Sequence, residues 1–309
     1  MLYYCKTEEG NFGDDLNPWL WSRLAPEVTN EQDPVLFVGI GTLLSQTVPA
    51  DLVKVVFGAG CGYKRPPELD RKWIFYGVRG PLTAAKLRID PAFALGDPAI
   101  LVRRVGLPAR KKRYPVSFMP HHKSMLQADW EALCKQANMH CIDPRHEVDR
   151  VLVEIQQTEI LLAEAMHGAI VADALRVPWI PVRMYSQFME FKWRDWTQSI
   201  QVPFKLTNVA PIFTRELTLQ RALVHAWKKG WAKTGLGKDK WHRLPLRTSS
   251  DREISNSLRS LERLARDSNS CLSADKTIYE VETKLSARLS DLREAWQRRQ
   301  FTPFASPNG

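Results

Sequence analysis

Short apolar runs that stop at glycine set the rhythm of the first hundred residues: "VLFVGI" (35–40), "VKVVFGAG" (53–60) and "WIFYGVRG" (73–80). Consecutive apolar positions over such lengths suit strands buried on both faces of a parallel sheet. An earlier run, "MLYYC", leads into the polar stretch "EGNFGDDLN" (9–17). That stretch reads as a loop whose Asp14 or Asp15 caps a helix over "LNPWLWSRL". Pro81 opens a helix over "PLTAAKLRI" (81–89), and "FALGDPAIL" (93–101) reads as a further strand followed by a Gly-Asp-Pro turn. This alternation predicts a doubly wound α/β unit.

Residues 102–115 are basic and lack apolar periodicity, so they read as a link. The pattern then restarts. "YPVSFMPHHKS" predicts a strand running into a loop, 128–139 a helix, "HCIDP" a short strand and 147–157 a helix. Residues 159–177 hold a strand, a sharp turn and a helix, and "WIPVRMY" (179–185) is a further strand. Two Rossmann-like domains result, 1–105 and 114–210, facing each other across a cleft. From 211 to 309 the chain predicts a helical extension. One helix is expected over "TRELTLQRALVHAWKKGWAKTG". A second carries Ile254, Leu258, Leu261 and Leu264 along one stripe, and a third carries Ile278, Val281, Leu285, Leu289, Leu292 and Trp296. Spacings of three and four mark amphipathic helices, suited to an antiparallel hairpin whose stripes pack on the two-domain body or on a second copy of the chain.

Charge adds to this picture. The chain carries a formal +10, of which residues 1–210 account for +2 and residues 211–309 for +8. A basic C-terminal third suits an anionic membrane surface or an acidic polymer, or simply a solvated face. No nucleic-acid motif accompanies it, so no nucleic acid is expected as partner. The longest apolar runs fall short of the roughly 18 residues that span a bilayer, and no secretory leader is visible. Five scattered cysteines, none in a CxxC, suggest neither a disulfide framework nor a metal site, and a cytoplasmic enzyme with reduced thiols is expected.

Parallel sheets bind ligands beyond their C-terminal strand ends, which directs attention to the polar residues there. The glycines of "GAGCG", Gly60 among them, allow close backbone approach to a ligand. Arg79 follows the fourth strand just before a helix start, a place suited to a carboxylate or phosphate, although it can equally pair with a nearby acid. In the second half, "MPHHKS" puts His121, His122 and Lys123 at a strand end. "AEAMHGA" puts Glu164 and His167 between a strand and a helix, and Arg183 lies at the end of the strand after that. His167 faces the positive end of a helix, across the cleft from Arg79.

The series "GNFGDDLN", "GAGCG", "VRGPLTAAKL", "LGDPAIL" and "AMHGAIVADALRVPWIPV" resembles the polysaccharide pyruvyltransferases, in order and spacing across residues 9–185. The resemblance is to members that decorate xanthan- or succinoglycan-type repeat units. It implies two Rossmann-like domains of glycosyltransferase-B type, with phosphoenolpyruvate as donor substrate and no cofactor. It also implies transfer of the pyruvyl group to two sugar hydroxyls as a cyclic ketal. The family's arginine after the fourth strand falls on Arg79 and its histidine on His167. Many members have Arg two residues before that histidine and Ser four residues after the arginine, where this chain has Ala165 and Thr83. His121, His122, Lys123 and Arg183 are candidates to supply the missing charge.

On this reading "EGNFGDDLN" lines the cleft, with Asn11, Gly13, Asp14 and Asp15 toward the sugar, and one acid of the pair capping the helix. His167 is the candidate general acid, because imidazole suits proton transfer near neutral pH. A lipid-linked oligosaccharide acceptor would place the enzyme at the inner face of the cell membrane, and a homo-oligomer is compatible with the apolar stripes. The alternatives are a nucleotide-sugar glycosyltransferase and a non-catalytic scaffold of polysaccharide assembly.

Overall fold

The computed structural model describes residues 1–62, 64–214, 248–266 and 269–303. Four parallel strands form the first sheet in the order β1 (Leu2–Tyr3), β2 (Val35–Val38), β3 (Val53–Phe57) and β4 (Trp73–Gly77). The second sheet is also parallel, in the order β6 (His140–Cys141), β5 (Tyr114–Met119), β7 (Thr158–Ala163), β8 (Trp179–Arg183) and β9 (Thr207–Asn208). The protein is therefore α/β with two parallel sheets flanked by helices.

Helix α1 (Phe12–Leu24) begins well before the predicted start, so Gly13, Asp14 and Asp15 lie in its first turn and not in a loop. Acidic residues suit a first turn, where they meet the unpaired N–H groups. Phe12, Leu16 and Leu20 recur every four residues and are buried. Pro18 sits inside the helix and has no N–H for the Asp14 carbonyl. Asn17 Nδ2 donates to that carbonyl instead at 3.2 Å, and the same side chain exchanges two hydrogen bonds with the Ile40 backbone.

The expected strand over 93–101 is not formed. Ala94 makes a single parallel bridge to Val78, and a 3-10 helix follows over Pro98–Arg104. Gly96 at φ 121° and the proline after Asp97 break the extended chain, and Asp97 Oδ1 accepts the Ala99 N–H to start the 3-10 turn.

This 3-10 helix packs against α5 (Met166–Ala174), the helix after β7, and so joins the two sheets. Helix α1 touches both α5 and α4 (Val148–Gln156), and Phe12 N–H donates to the Pro144 carbonyl at 2.7 Å. Gly10, at φ 81°, lies so near the Arg145 carbonyl that a Cβ there would be 2.6 Å away. One continuous set of buried side chains runs from Trp21, Phe37 and Phe57 of the first sheet to Leu161, Ala163 and Trp179 of the second. α2 (Pro81–Leu87) and α3 (Trp130–Gln136) flank the two sheets. α6 (Glu190–Ser199) follows β8 yet packs on α2.

The stripes of the two C-terminal helices pack on the body, one of the two expected arrangements, but each against a different sheet. Leu258 and Leu261 of α7 (Asp251–Arg266) join a core beside the second sheet, with Phe118, Leu162 and Val182. Ile278, Val281, Leu285, Leu289, Leu292 and Trp296 of α8 (Asp275–Arg298) join Phe37 and Ile74 of the first. The helix expected at 214–235 falls almost wholly outside the described residues.

Candidate functional site

The first turn of α1 separates its two acids. Asp15 Oδ2 accepts the Asn11 N–H at 2.8 Å, closing the helix start. Asp14 Oδ2 accepts from Asn11 Nδ2 at 2.5 Å, and Oδ1 lies inward, 3.8 Å from where a Cβ on Gly41 would sit. Burial lifts the Asp14 carboxyl above its usual range, and the charge of Asp15 adds to this. His167, the Asn11 bond and Lys192 oppose it without cancelling it. Asp15 is lifted by burial too, with its backbone bond at Asn11 opposing.

His167 is the second residue of α5, directly beyond the C-terminal end of β7. Its ring lies against Gly13 of α1, where a Cβ would overlap the Nδ1 side of the imidazole. The other nitrogen, Nε2, is 3.7 Å from Asp97 Oδ2. Both of these atoms are buried and neither has a hydrogen-bond partner. The 3-10 helix after Asp97 packs on α5, so the same contact that joins the sheets places this acid beside this histidine.

Lys192 acts on Asp14, and Lys123 and Lys192 act on His122. Burial, followed by the charges of Lys123 and Lys192, brings the His122 pKa down to about 4, so its ring is neutral near pH 7. The His121 ring lies tilted against it at 4.2 Å, and Lys123 follows in the loop after β5. Lys192 on α6 acts on both His122 and Asp14, and Lys123 with Lys64 acts on Cys5 beyond β1. Lys192 thus links two groups electrostatically: Asp14, which His167 also reaches, and His122, which Lys123 also reaches.

Other expected site residues are spent on the scaffold. Glu164 is buried, and its carboxylate accepts from His121 N–H, Ser124 Oγ and Tyr185 N–H at 3.0, 2.6 and 3.3 Å. Burial outweighs those bonds and raises its pKa. Arg183 donates to Asn208 Oδ1 at 2.6 Å. Arg79 is fully buried and pairs with Asp195 of α6 at 3.2 Å. Its other nitrogens donate to Thr42 Oγ1 and the Cys61 carbonyl. The space over Gly60, expected to admit a ligand, holds the Arg79 guanidinium, which a Cβ there would overlap. Thr83 donates to Asp195 through both its N–H and its hydroxyl, and it accepts from Cys61 N–H.

Three residues central to this arrangement escape the sequence reading: Asp97, Lys192 and Asp195. Asp97 stands in the quoted "LGDPAIL" turn, and its signal is a carboxylate at a strand end. Lys192 and Asp195 lie on a helix whose return to the first sheet leaves no local trace. Open cavities of about 470 and 530 Å³ lie elsewhere, around Tyr114 and His140 and around Tyr76 and Arg288. The orphaned polar atoms and convergent charges, rather than cavity volume, mark the site. Among the described residues, no group of three His, Cys, Asp or Glu side chains is placed to hold a metal ion.

No family model matches the chain, and no solved structure does. The succinoglycan biosynthesis protein ExoV of Rhizobium meliloti (strain 1021) is 42% identical over 219 residues, covering 69% of this chain and 68% of that protein. The aligned length exceeds either sheet alone, so the likeness extends beyond one structural unit. By that identity and coverage, the chain belongs to the family of the succinoglycan biosynthesis protein ExoV.

Proposed function

We propose that the protein acts in exopolysaccharide biosynthesis and transfers the pyruvyl group of phosphoenolpyruvate to two hydroxyls of a sugar in the repeat unit. The reading needs the two sheets to enclose substrates in the glycosyltransferase-B manner. The observation that carries it is the meeting of His167 with Asp14 and Asp97, with Lys192 acting on Asp14. Similarity to a succinoglycan biosynthesis protein supports the polysaccharide context.

Phosphoenolpyruvate brings a carboxylate and a phosphate, which Lys123 and Lys192 are placed to attract, taking up charge that Ala165 does not supply. Arg79, spent on Asp195, keeps the surrounding loops in place. His167 delivers a proton to C3 of the enol, and C2 becomes electrophilic. A sugar hydroxyl adds to C2 and gives its proton to Asp14, whose raised pKa suits it as a base. The C2–O bond to phosphate then breaks and inorganic phosphate leaves. Asp14 passes its proton to the departing phosphate, and the second hydroxyl closes the ring at C2 as its proton returns to His167. One enol ester of phosphate and two hydroxyls become one ketal and one phosphate.

An acceptor on a lipid carrier would bring this chemistry to the anionic inner surface of the membrane. Among the described residues, no helix is long and apolar enough to cross a membrane.

Incubating the protein with phosphoenolpyruvate and a panel of glycosides tests the proposal. The expected result is phosphate release with an acceptor mass gain of one pyruvate ketal, lost in His167→Ala by on the order of 10²–10⁴ in rate. Nucleotide release from a nucleotide-sugar, with no ketal formed, would assign it to the glycosyltransferases instead.

A further inference from the structure

Asp97 is fully buried, and only one of its carboxylate oxygens is accounted for. Oδ1 accepts the Ala99 N–H at 3.0 Å, which fixes the carboxylate at the start of the 3-10 turn. Oδ2 has no hydrogen-bond partner. A buried carboxylate oxygen left without a donor is costly, so such an atom marks a contact made in another state of the site. Nε2 of His167 stands 3.7 Å away, buried and equally unpartnered. A movement of under 1 Å would bring the two into hydrogen-bond range, and catalytic hydrogen bonds are often long before substrate binds.

We propose that Asp97 is a positioning residue that holds His167 as the Nε2–H tautomer, so that Nδ1 is the nitrogen that delivers the proton to substrate. The proposal deepens the reading of His167 as general acid and rests on it. A carboxylate facing Nε2 accepts only from an N–H, which leaves Nδ1 as the atom that takes up and gives the mobile proton. Nδ1 is on the side turned to Gly13, where the missing Cβ lets the ring pack close against α1, and unlike Nε2 it is not a buried atom without a partner. Asp14, in the same turn of α1, also acts electrostatically on His167, while Asp97 faces Nε2. The two acids then have separate tasks. Asp97 orients the imidazole and balances its charge, while Asp14 faces the substrate.

The tautomer is read directly, without substrate, from the nitrogen shifts of the neutral His167 imidazole in ¹⁵N-labelled full-length protein, assigned by the loss of its signals in His167→Gln. The wild type is expected to carry its proton on Nε2. Asp97→Asn keeps Oδ1 for Ala99 but turns an amide NH₂ toward Nε2, so the proton is expected to move to Nδ1. Turnover should fall on the order of 10²–10⁴-fold, as expected for a general acid held in the wrong tautomer, with little change in KM for phosphoenolpyruvate. A wild-type proton on Nδ1 overturns the proposal, and that measurement needs no variant to fold. An unchanged tautomer in a folded Asp97→Asn protein also overturns it. If the tautomer moves as expected while the wild type transfers no pyruvyl group, the pairing stands and the assigned activity falls.

Discussion

Arg79 and His167 occupy comparable places, each between a parallel strand and the first turn of the helix after it or within that turn, yet their side chains have opposite surroundings. The Arg79 guanidinium is divided among Asp195, Thr42 and the Cys61 carbonyl and has no exposure. A lysine there keeps the charge but cannot reach three acceptors from one ammonium. Breaking a fully buried pair by removing one partner costs about 3–5 kcal/mol. Arg79→Ala should therefore lower the unfolding free energy measured by urea titration by an amount of that order, with Arg79→Lys intermediate. Unchanged stability, with only KM for phosphoenolpyruvate raised, would return Arg79 to the ligand. Gly13 makes a complementary case. Alanine in a helix is normally better than glycine by about 1 kcal/mol. At this position its methyl would overlap the Nδ1 side of His167. Gly13→Ala is expected to lose most turnover while its thermal midpoint falls far less than that of Arg79→Ala, as measured by assay and melting on the same sample.

At the scale of elements, local pattern revealed what short-range physics controls. The strands at 35–38, 53–57 and 73–77 were legible because each is an apolar run with a glycine close behind. The start of α1 was not, because Gly13, Asp14 and Asp15 look like a loop when helix-forming tendency alone is weighed. Tertiary support decides the matter there: Phe12 bonds to Pro144, and Asn17 makes good the missing N–H of Pro18. The stripes of α7 and α8 were legible as well, but a stripe does not name its partner, and these two found different sheets. His167 and Asp14 were visible as polar residues at strand ends. Asp97 stands in the Gly-Asp-Pro turn, but its approach to His167 is not visible in the sequence, because the two are 70 residues apart.

The docking of α8 also carries a pH dependence. Asp33, before β2, accepts from Arg299 at 2.9 and 2.7 Å, from Trp296 Nε1 at 3.2 Å and from Val35 N–H at 2.9 Å. Burial acts to raise its pKa, but the bonds from Val35 and Arg299 and the positive charges of Arg299 and the N-terminus outweigh burial and hold it below the usual value. A carboxyl lowered on folding contributes stability that is full above its unfolded pKa, about 3.9, and is lost as pH falls through the folded value. Asp33→Asn should thus be less stable than wild type at pH 7, and the gap should close on acidification below about pH 4. Urea midpoints across that range check it. A gap that stays constant to low pH would remove Asp33 from the acid response.

The charge of the whole molecule is unevenly placed in a way the two described C-terminal helices do not account for. Residues 215–247 hold nine Lys and Arg against two acidic residues, whereas the rest of the C-terminal third holds ten against nine. Several basic residues of α8 and its end are also paired within the protein, Arg293 with Glu27 and Arg299 with Asp33. The exposed arginines of α7, Arg259 and Arg263, share their helix with Asp251, Glu253 and Glu262. Attraction to an anionic surface, at roughly 1 kcal/mol for each basic residue near it, should therefore come from 215–247. Such attraction is screened over about 8 Å at physiological salt, so it weakens as salt rises. In sedimentation with vesicles containing phosphatidylglycerol, the protein is expected to bind at low salt and release at high salt. Reversing Lys228, Lys229, Lys238 and Lys240 should abolish binding, while reversing Arg259 and Arg263 should change it little. Arg299→Glu should act differently, weakening the fold through Asp33 rather than the lipid contact. Equal loss from both sets of reversals would make the basic face a diffuse property of the C-terminal third, and no binding at low salt would leave the charge a solvated surface with pyruvyl transfer unaffected.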